Sequence, residues 1–167
     1  MTKISLGFDN RLSEGVRAAL CLLVEMVYPF CFVMAKSIIC VVDFSESSQQ
    51  VLQCAADLSA SFHSHLSVLY PYRLLQTTRG EDLMELKKRK EKEAIQQFET
   101  LEKRLLSGRD LDVDFSSEIG FVTDRIENRT RKNPAQFVVI GRSLVNANKE
   151  SFDELMKHLP SPLVIVP

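Results

Sequence analysis

From Ser37 onward, short apolar runs alternate with segments whose apolar residues recur at helical spacing. The first run, "SIICVVD" (37–43), is apolar on both faces, as a central parallel strand should be. Val51, Cys54, Ala55, Leu58 and Phe62 then mark one side of a helix that Ser45 or Ser47 can cap. "HLSVLY" (65–70) predicts a second strand ended by Pro71, and small polar residues around "QTTRG" lead into a long helix. Ala94, Phe98, Leu101 and Leu105 form that helix's inner side, and Gly108 marks its end. From Leu111 to Phe115 apolar and polar residues alternate strictly, which predicts a half-exposed strand at a sheet edge. Phe121, Val122, Ile126 and Arg129 follow at helical spacing, over about 121–132. "FVVIG" (137–141) is a second fully apolar strand. "SFDELMKHL" is a helix whose Ser151 and Glu154 have capping-box spacing. "PLVIV" (162–166) lies between prolines and suits an edge or an interface better than a sheet centre.

The order is βαβαβαβαβ. Right-handed crossovers turn it into a parallel sheet with helices on both faces. The expected fold is therefore α/β, a three-layer doubly wound domain. If the two most apolar strands lie side by side at its centre, the strand order is 3-2-1-4-5. The switch point then falls between strands one and four, where open α/β sheets bind ligands. Asp43 and Gly141 would meet there.

Residues 1–33 do not share this pattern. The run "AALCLLVEMVYPFCFVM" (18–34) is apolar but interrupted by Glu25 and Pro29, which suits a transmembrane helix poorly. Three readings stay open: an extension (an upstream translation artefact or an extra helix packed on the domain), a secretory signal, and a membrane anchor. Lys3, Arg11 and Arg17 before the run, with Val33 and Ala35 after it, suit the signal. Met34 would be a natural start for a cytoplasmic domain. We expect a domain over 34–167 that folds without 1–33, which stands as an N-terminal extension of uncertain status.

Composition narrows the function classes. An apolar fraction of 45% with 26% charged residues fits an ordinary globular domain, and a formal charge of −1 argues against nucleic acid or an acidic membrane as partner. The basic run "KKRKEKE" (87–93) is interleaved with acids and continues into Glu99 and Glu102, so it reads as a solvated helix face. Cys21, Cys31, Cys40 and Cys54 form no CxxC and fit small buried hydrophobes in a reducing compartment. His63, His65 and His158 stand in separate elements, so neither a metal site nor a catalytic constellation is expected. There is no G-x-S-x-G, no P-loop and no G-x-G-x-x-G.

"IICVVDFSESSQQVLQCAADLS", "SSEIGFVTDRIENRT", "AQFVVIG" and "HLPSPLVIVP" together resemble the universal stress protein family over nearly all of 36–167. The resemblance implies a five-stranded, adenine nucleotide alpha hydrolase-like domain, usually a cytoplasmic homodimer. Members that bind ATP carry an Asp at the end of strand one. After strand four they carry Gly, two residues, Gly, nine residues, then Gly with Ser or Thr. Asp43 and Gly141 match the start of that pattern. Leu144 stands at the second glycine, and Glu154 and Leu155 stand where Gly-Ser would be.

Asp43, Gly141, Arg142, Ser143 and Ser151 are therefore the candidate nucleotide contacts, with Asn146, Asn148 and Lys149 as further donors in an otherwise plain exposed loop. Without glycine the backbone cannot approach phosphates closely. The competing reading of Asp43 needs only a turn residue at a helix entry. The expectation is a non-catalytic stress-response or regulatory protein that binds no cofactor tightly, with ATP weaker than roughly 0.1 mM. The alternative is a nucleotide-dependent switch or slow ATPase with an atypical loop. An adenine-nucleotide enzyme on a related sheet would want glycine after strand one, and "DFSESS" has none. Leu163, Val164, Ile165 and Val166 are the expected dimer edge.

Overall fold

The computed structural model describes residues 37–74 and 82–167. The readings made on 1–33 and on the loop around 76–80 lie outside the described residues. Five parallel strands form one sheet: β1 (Ser37–Val41), β2 (His65–Tyr72), β3 (Val113–Ile119), β4 (Phe137–Gly141) and β5 (Leu163–Val166). Their order is β3-β2-β1-β4-β5, as expected. β1 lies at the centre, with Val41 beside Leu69 on one side and Ile140 on the other.

Five helices connect the strands: α1 (Ser48–Phe62), α2 (Leu83–Leu105), α3 (Val122–Lys132), α4 (Arg142–Ala147) and α5 (Lys149–His158). α1 and α2 cover one face, burying Val51, Leu52, Ala55 and Phe98 against Ile38, Cys40, Leu66 and Val139. α3 and α5 cover the other, where Ile126, Phe152 and Leu155 meet Ile39, Val41, Val138 and Ile140. Each large side chain fully buried in these layers contributes about 1.5–3 kcal/mol relative to exposure. Residues Ala35–Pro167 form one compact unit.

Local chemistry sets the element ends. Asp82 caps α2 by accepting from the Met84 N–H at 3.0 Å. His63 closes α1 in the left-handed conformation (φ 50°), and the Ser64 N–H returns to the Ser59 carbonyl at 2.9 Å. In β3, Val113 and Phe115 point to the first core while Asp114, Ser116 and Glu118 take the opposite face, so the edge-strand reading holds.

Three local expectations are corrected. β2 does not end before Pro71 but runs through it to Tyr72, with Pro71 opposite Glu118. β1 pairs β2 only as far as Leu69, so Pro71 lies past the end of that ladder and its missing N–H breaks no β1 bond. Ser151 and Glu154 form no capping box, because α5 starts two residues earlier at Lys149 with Asn148 as its N-cap. The polar segment after Gly141 is not a plain loop. Its first six residues form α4, anchored by the half-buried Leu144 and Val145 against the second core.

Candidate functional site

β1 and β4 point their carboxyl ends at a common crevice. There the backbone leaves the sheet in opposite directions, toward α1 and α4, and side chains from both turns converge. An open depression of about 530 Å³ results, lined by Asp43, Ser45, Glu46 and Ser47 from one turn, Gln50 from α1, and Ser143, Leu144 and Ala147 from the other side.

Asp43 organises the β1 turn. Its Oδ1 accepts from the Ser45 N–H (3.0 Å), the Ser45 hydroxyl (2.5 Å) and the Ser48 hydroxyl (2.6 Å). The Asp43 N–H in turn donates to Ser48 Oγ at 3.2 Å. Ser47 occupies the N-cap position of α1 but makes no side-chain cap bond, so neither Ser45 nor Ser47 caps the helix as the sequence suggested. Phe44 turns through a positive φ of 57° and places its ring 4.7 Å from that of Tyr70. Partial burial pushes the Asp43 carboxyl upward, but the hydrogen bonds from Ser45 and Ser48 outweigh it and hold the group below the ordinary aspartate value.

A chain of hydroxyls crosses the crevice. Ser45 Oγ lies 2.9 Å from Ser47 Oγ, which lies 3.0 Å from Ser143 Oγ at the start of α4. Each hydroxyl has one proton. Ser45 gives its proton to Asp43, so Ser47 must donate to Ser45 and Ser143 to Ser47. The chain is polarised toward the carboxylate, and the outer hydroxyl, Ser143, is left with lone pairs only. Gly141 sits beneath this bridge. A Cβ there would lie 3.1 Å from a Val51 methyl and within 3.7 Å of both Ser143 Oγ and Ser47 Oγ.

Of the five candidate contacts, Asp43 and Ser143 line the crevice and buried Gly141 floors it. Arg142 is exposed at the start of α4, and Ser151 is exposed within α5; neither is among the lining residues. The sequence offers Ser45 and Ser47 only as helix caps and gives Ser48 no role; Ser45 and Ser48 prove to be the Asp43 partners, and Ser47 links Ser45 to Ser143. The run of three serines within five residues after the aspartate was their signal. Among the described residues, the charged ones lining the crevice are two acids, Asp43 and Glu46, with no base. Among the described residues no group of His, Cys, Asp or Glu could hold a metal ion, and no helix is long and apolar enough to cross a membrane.

Several solved structures share the fold. A universal stress protein from Burkholderia pseudomallei superposes with a TM-score of 0.64 at 21% identity, covering 81% of this chain and 98% of that one. A universal stress protein from Lactobacillus plantarum gives 0.66 at 17% identity, covering 81% and 99%. A universal stress protein solved in complex with cAMP gives 0.62 at 14% identity, covering 80% and 98%. Comparison with curated proteins finds no match. The universal stress protein family model matches residues 34–167, all of the chain beyond residue 33, and the chain therefore belongs to the universal stress protein family.

Proposed function

We propose that this chain is a non-catalytic, regulatory universal stress protein that works in the cytoplasm and does not hold ATP tightly. One observation carries the reading: the charged residues lining the Asp43 crevice are acids, and the hydroxyl at its mouth has no proton to offer. A triphosphate needs donors and positive charge at close approach. Here it would meet Asp43, Glu46 and the lone pairs of Ser143, with the Gln50 amide as an uncharged donor and no cation among the described lining residues. Arg142, which could offset that charge, is not part of the lining. The Oδ1 of Asp43 is taken up by its own turn, which gives the residue the role of shaping the entry to α1. Calorimetry with ATP should give a dissociation constant weaker than roughly 0.1 mM, about 5.5 kcal/mol of binding free energy at most. Asp43→Ala should lower stability by about 1 kcal/mol without removing a measurable nucleotide affinity. Micromolar ATP binding that Asp43→Ala abolishes would overturn the reading.

The second reading, a nucleotide-dependent switch, is favoured by the structural neighbour solved with cAMP. The same titration run with AMP and cAMP separates the two, since a switch of this kind needs one of these ligands to bind at micromolar concentration.

The proposal includes assembly. β5 is an edge strand, and Leu163, Val164 and Ile165 remain partly or fully exposed, Ile165 by 39%. A bare apolar edge invites pairing, and a two-fold copy would satisfy it. We expect a homodimer at micromolar concentration in sedimentation, shifted toward monomer by Val164→Lys. A monomeric wild-type chain would remove this part of the proposal.

A further inference from the structure

Away from the Asp43 crevice, the face of the sheet under α3 is polar over β2 and β3. His65, Ser67, Asp114 and Glu118 face Arg125, Arg129 and Lys132 of α3 across a groove of about 680 Å³, a size that accepts a small molecule. Arg125, Asn128, Arg129 and Lys132 stand at i, i+3, i+4 and i+7, so they form one stripe along the helix.

The acids of the groove already have partners. Arg129 Nε donates to Glu118 Oε1 at 2.9 Å, and the other two guanidinium nitrogens donate to the hydroxyls of Ser67 and Ser116. His65 Nε2 lies 2.5 Å from Asp114 Oδ1. Two cations are left over. Lys132 enters no ion pair among the described residues. Arg125 has its Nε buried with no hydrogen-bond partner among the described residues. A buried donor without an acceptor costs its desolvation in full, and charged donors cost the most. Gly120 holds this arrangement in place. Its φ of +146° is one side chains rarely adopt, and a Cβ there would come within 2.8 Å of Arg125 Nε.

We propose that the α3–β3 groove binds a small molecule bearing a phosphate-type dianion, with Arg125 and Lys132 as the binding cations. Two uncompensated positive charges match a doubly charged oxyanion. A guanidinium fork supplies the paired donors such a group accepts, and Arg129 is the positioning residue that keeps the acidic wall neutral. Asn128 adds its amide N–H donors, because its carbonyl oxygen already accepts from Arg131. The groove shares no residue with the Asp43 crevice, so this inference stands apart from the proposal about ATP.

The test is titration of the full chain with inorganic phosphate, against sodium chloride of equal ionic strength, followed by NMR of the arginine Nε–H signals. A saturable response at Arg125 in phosphate, absent in chloride, is expected. Lys132→Gln, an exposed change that leaves the core untouched, should weaken it at least 5-fold. Arg125→Gln and Arg125→Lys lose that signal with the side chain, so they are read by calorimetry of phosphate binding: the Gln variant should abolish it, and the Lys variant should restore only part, having charge without the fork. Asp43→Ala should leave the response unchanged. A response that grows linearly and equally in both salts, one that survives Lys132→Gln undiminished, or calorimetric phosphate binding that survives Arg125→Gln undiminished, would overturn the proposal.

Discussion

The two faces of the sheet are built to different rules. Under α1 and α2 the surface is apolar from edge to edge, running from Phe115 on β3 through Val68, Cys40 and Val139 to Val166 on β5. Phe98 closes it by stacking on Phe115 at 4.5 Å. Under α3 and α5 the apolar surface covers the central strands and then stops. Leu69 belongs to it, but two residues earlier on the same strand Ser67 belongs to a polar network. One unbroken apolar face, with a second that is apolar only at its centre, is enough to bury β1 and β4 on both sides. The outer strip of the second face is thereby free to carry charge.

The largest effect expected from this contrast is on the half-apolar face. Phe152 is fully buried on the inner side of α5, and Phe152→Ala should cost about 3–5 kcal/mol in chemical denaturation. Phe98→Ala on the continuous face should cost a similar amount. A cost below about 1 kcal/mol for Phe152→Ala would mean that the second face is loosely packed. Next comes the polar strip. Arg129→Met should cost about 2 kcal/mol, because it leaves Glu118, 29% exposed, without its partner. Adding Glu118→Gln should recover part of that loss, and the double-mutant cycle measures the coupling. Additive costs would show that the strip is merely solvated surface.

The smallest effect is at the strip's lower end and depends on pH. His65 Nδ1 lies 3.0 Å from Asp112 and Nε2 2.5 Å from Asp114. A neutral imidazole has one N–H, so bonding both carboxylates requires the charged ring. Partial burial disfavours that charge, but the bonds to Asp114 and Asp112 outweigh it and raise the pKa above the ordinary 6.5. A raised folded-state value stabilises fully below the unfolded pKa and loses that stabilisation as pH rises through the folded one. The advantage of wild type over His65→Gln should therefore be greatest near pH 6. At such a half-exposed pair it should be below about 1 kcal/mol, and it should fade in melts taken at rising pH. A difference that grows toward high pH would contradict the assignment.

Much of the frame was legible in the sequence, because β1 and β4 are continuous apolar runs and a run buried on both faces has few other readings. The edge position of β3 showed in its strict alternation. What stayed hidden depended on distance along the chain. The Ser47–Ser143 bond joins residues 96 positions apart, and a hydroxyl leaves no period in a sequence. α4 was missed because six residues with two adjacent apolar side chains show no helical repeat. Of the cations of α3 only Arg129 showed in the sequence, at helical spacing with Phe121, Val122 and Ile126. Only the docking of α3 across the polar side of β3 sets these cations against His65, Ser67 and Glu118.

The central position of β1 also has a consequence during synthesis. Its partner β4 lies about a hundred residues later, so at ordinary translation rates the ribosome takes roughly 5–20 s to deliver it. For that interval the run Ile38–Val42 has no neighbour on one side and presents a bare aggregation-prone edge on the nascent chain. The strand that becomes the best protected in the finished protein is therefore the one most in need of a chaperone while the chain is being made.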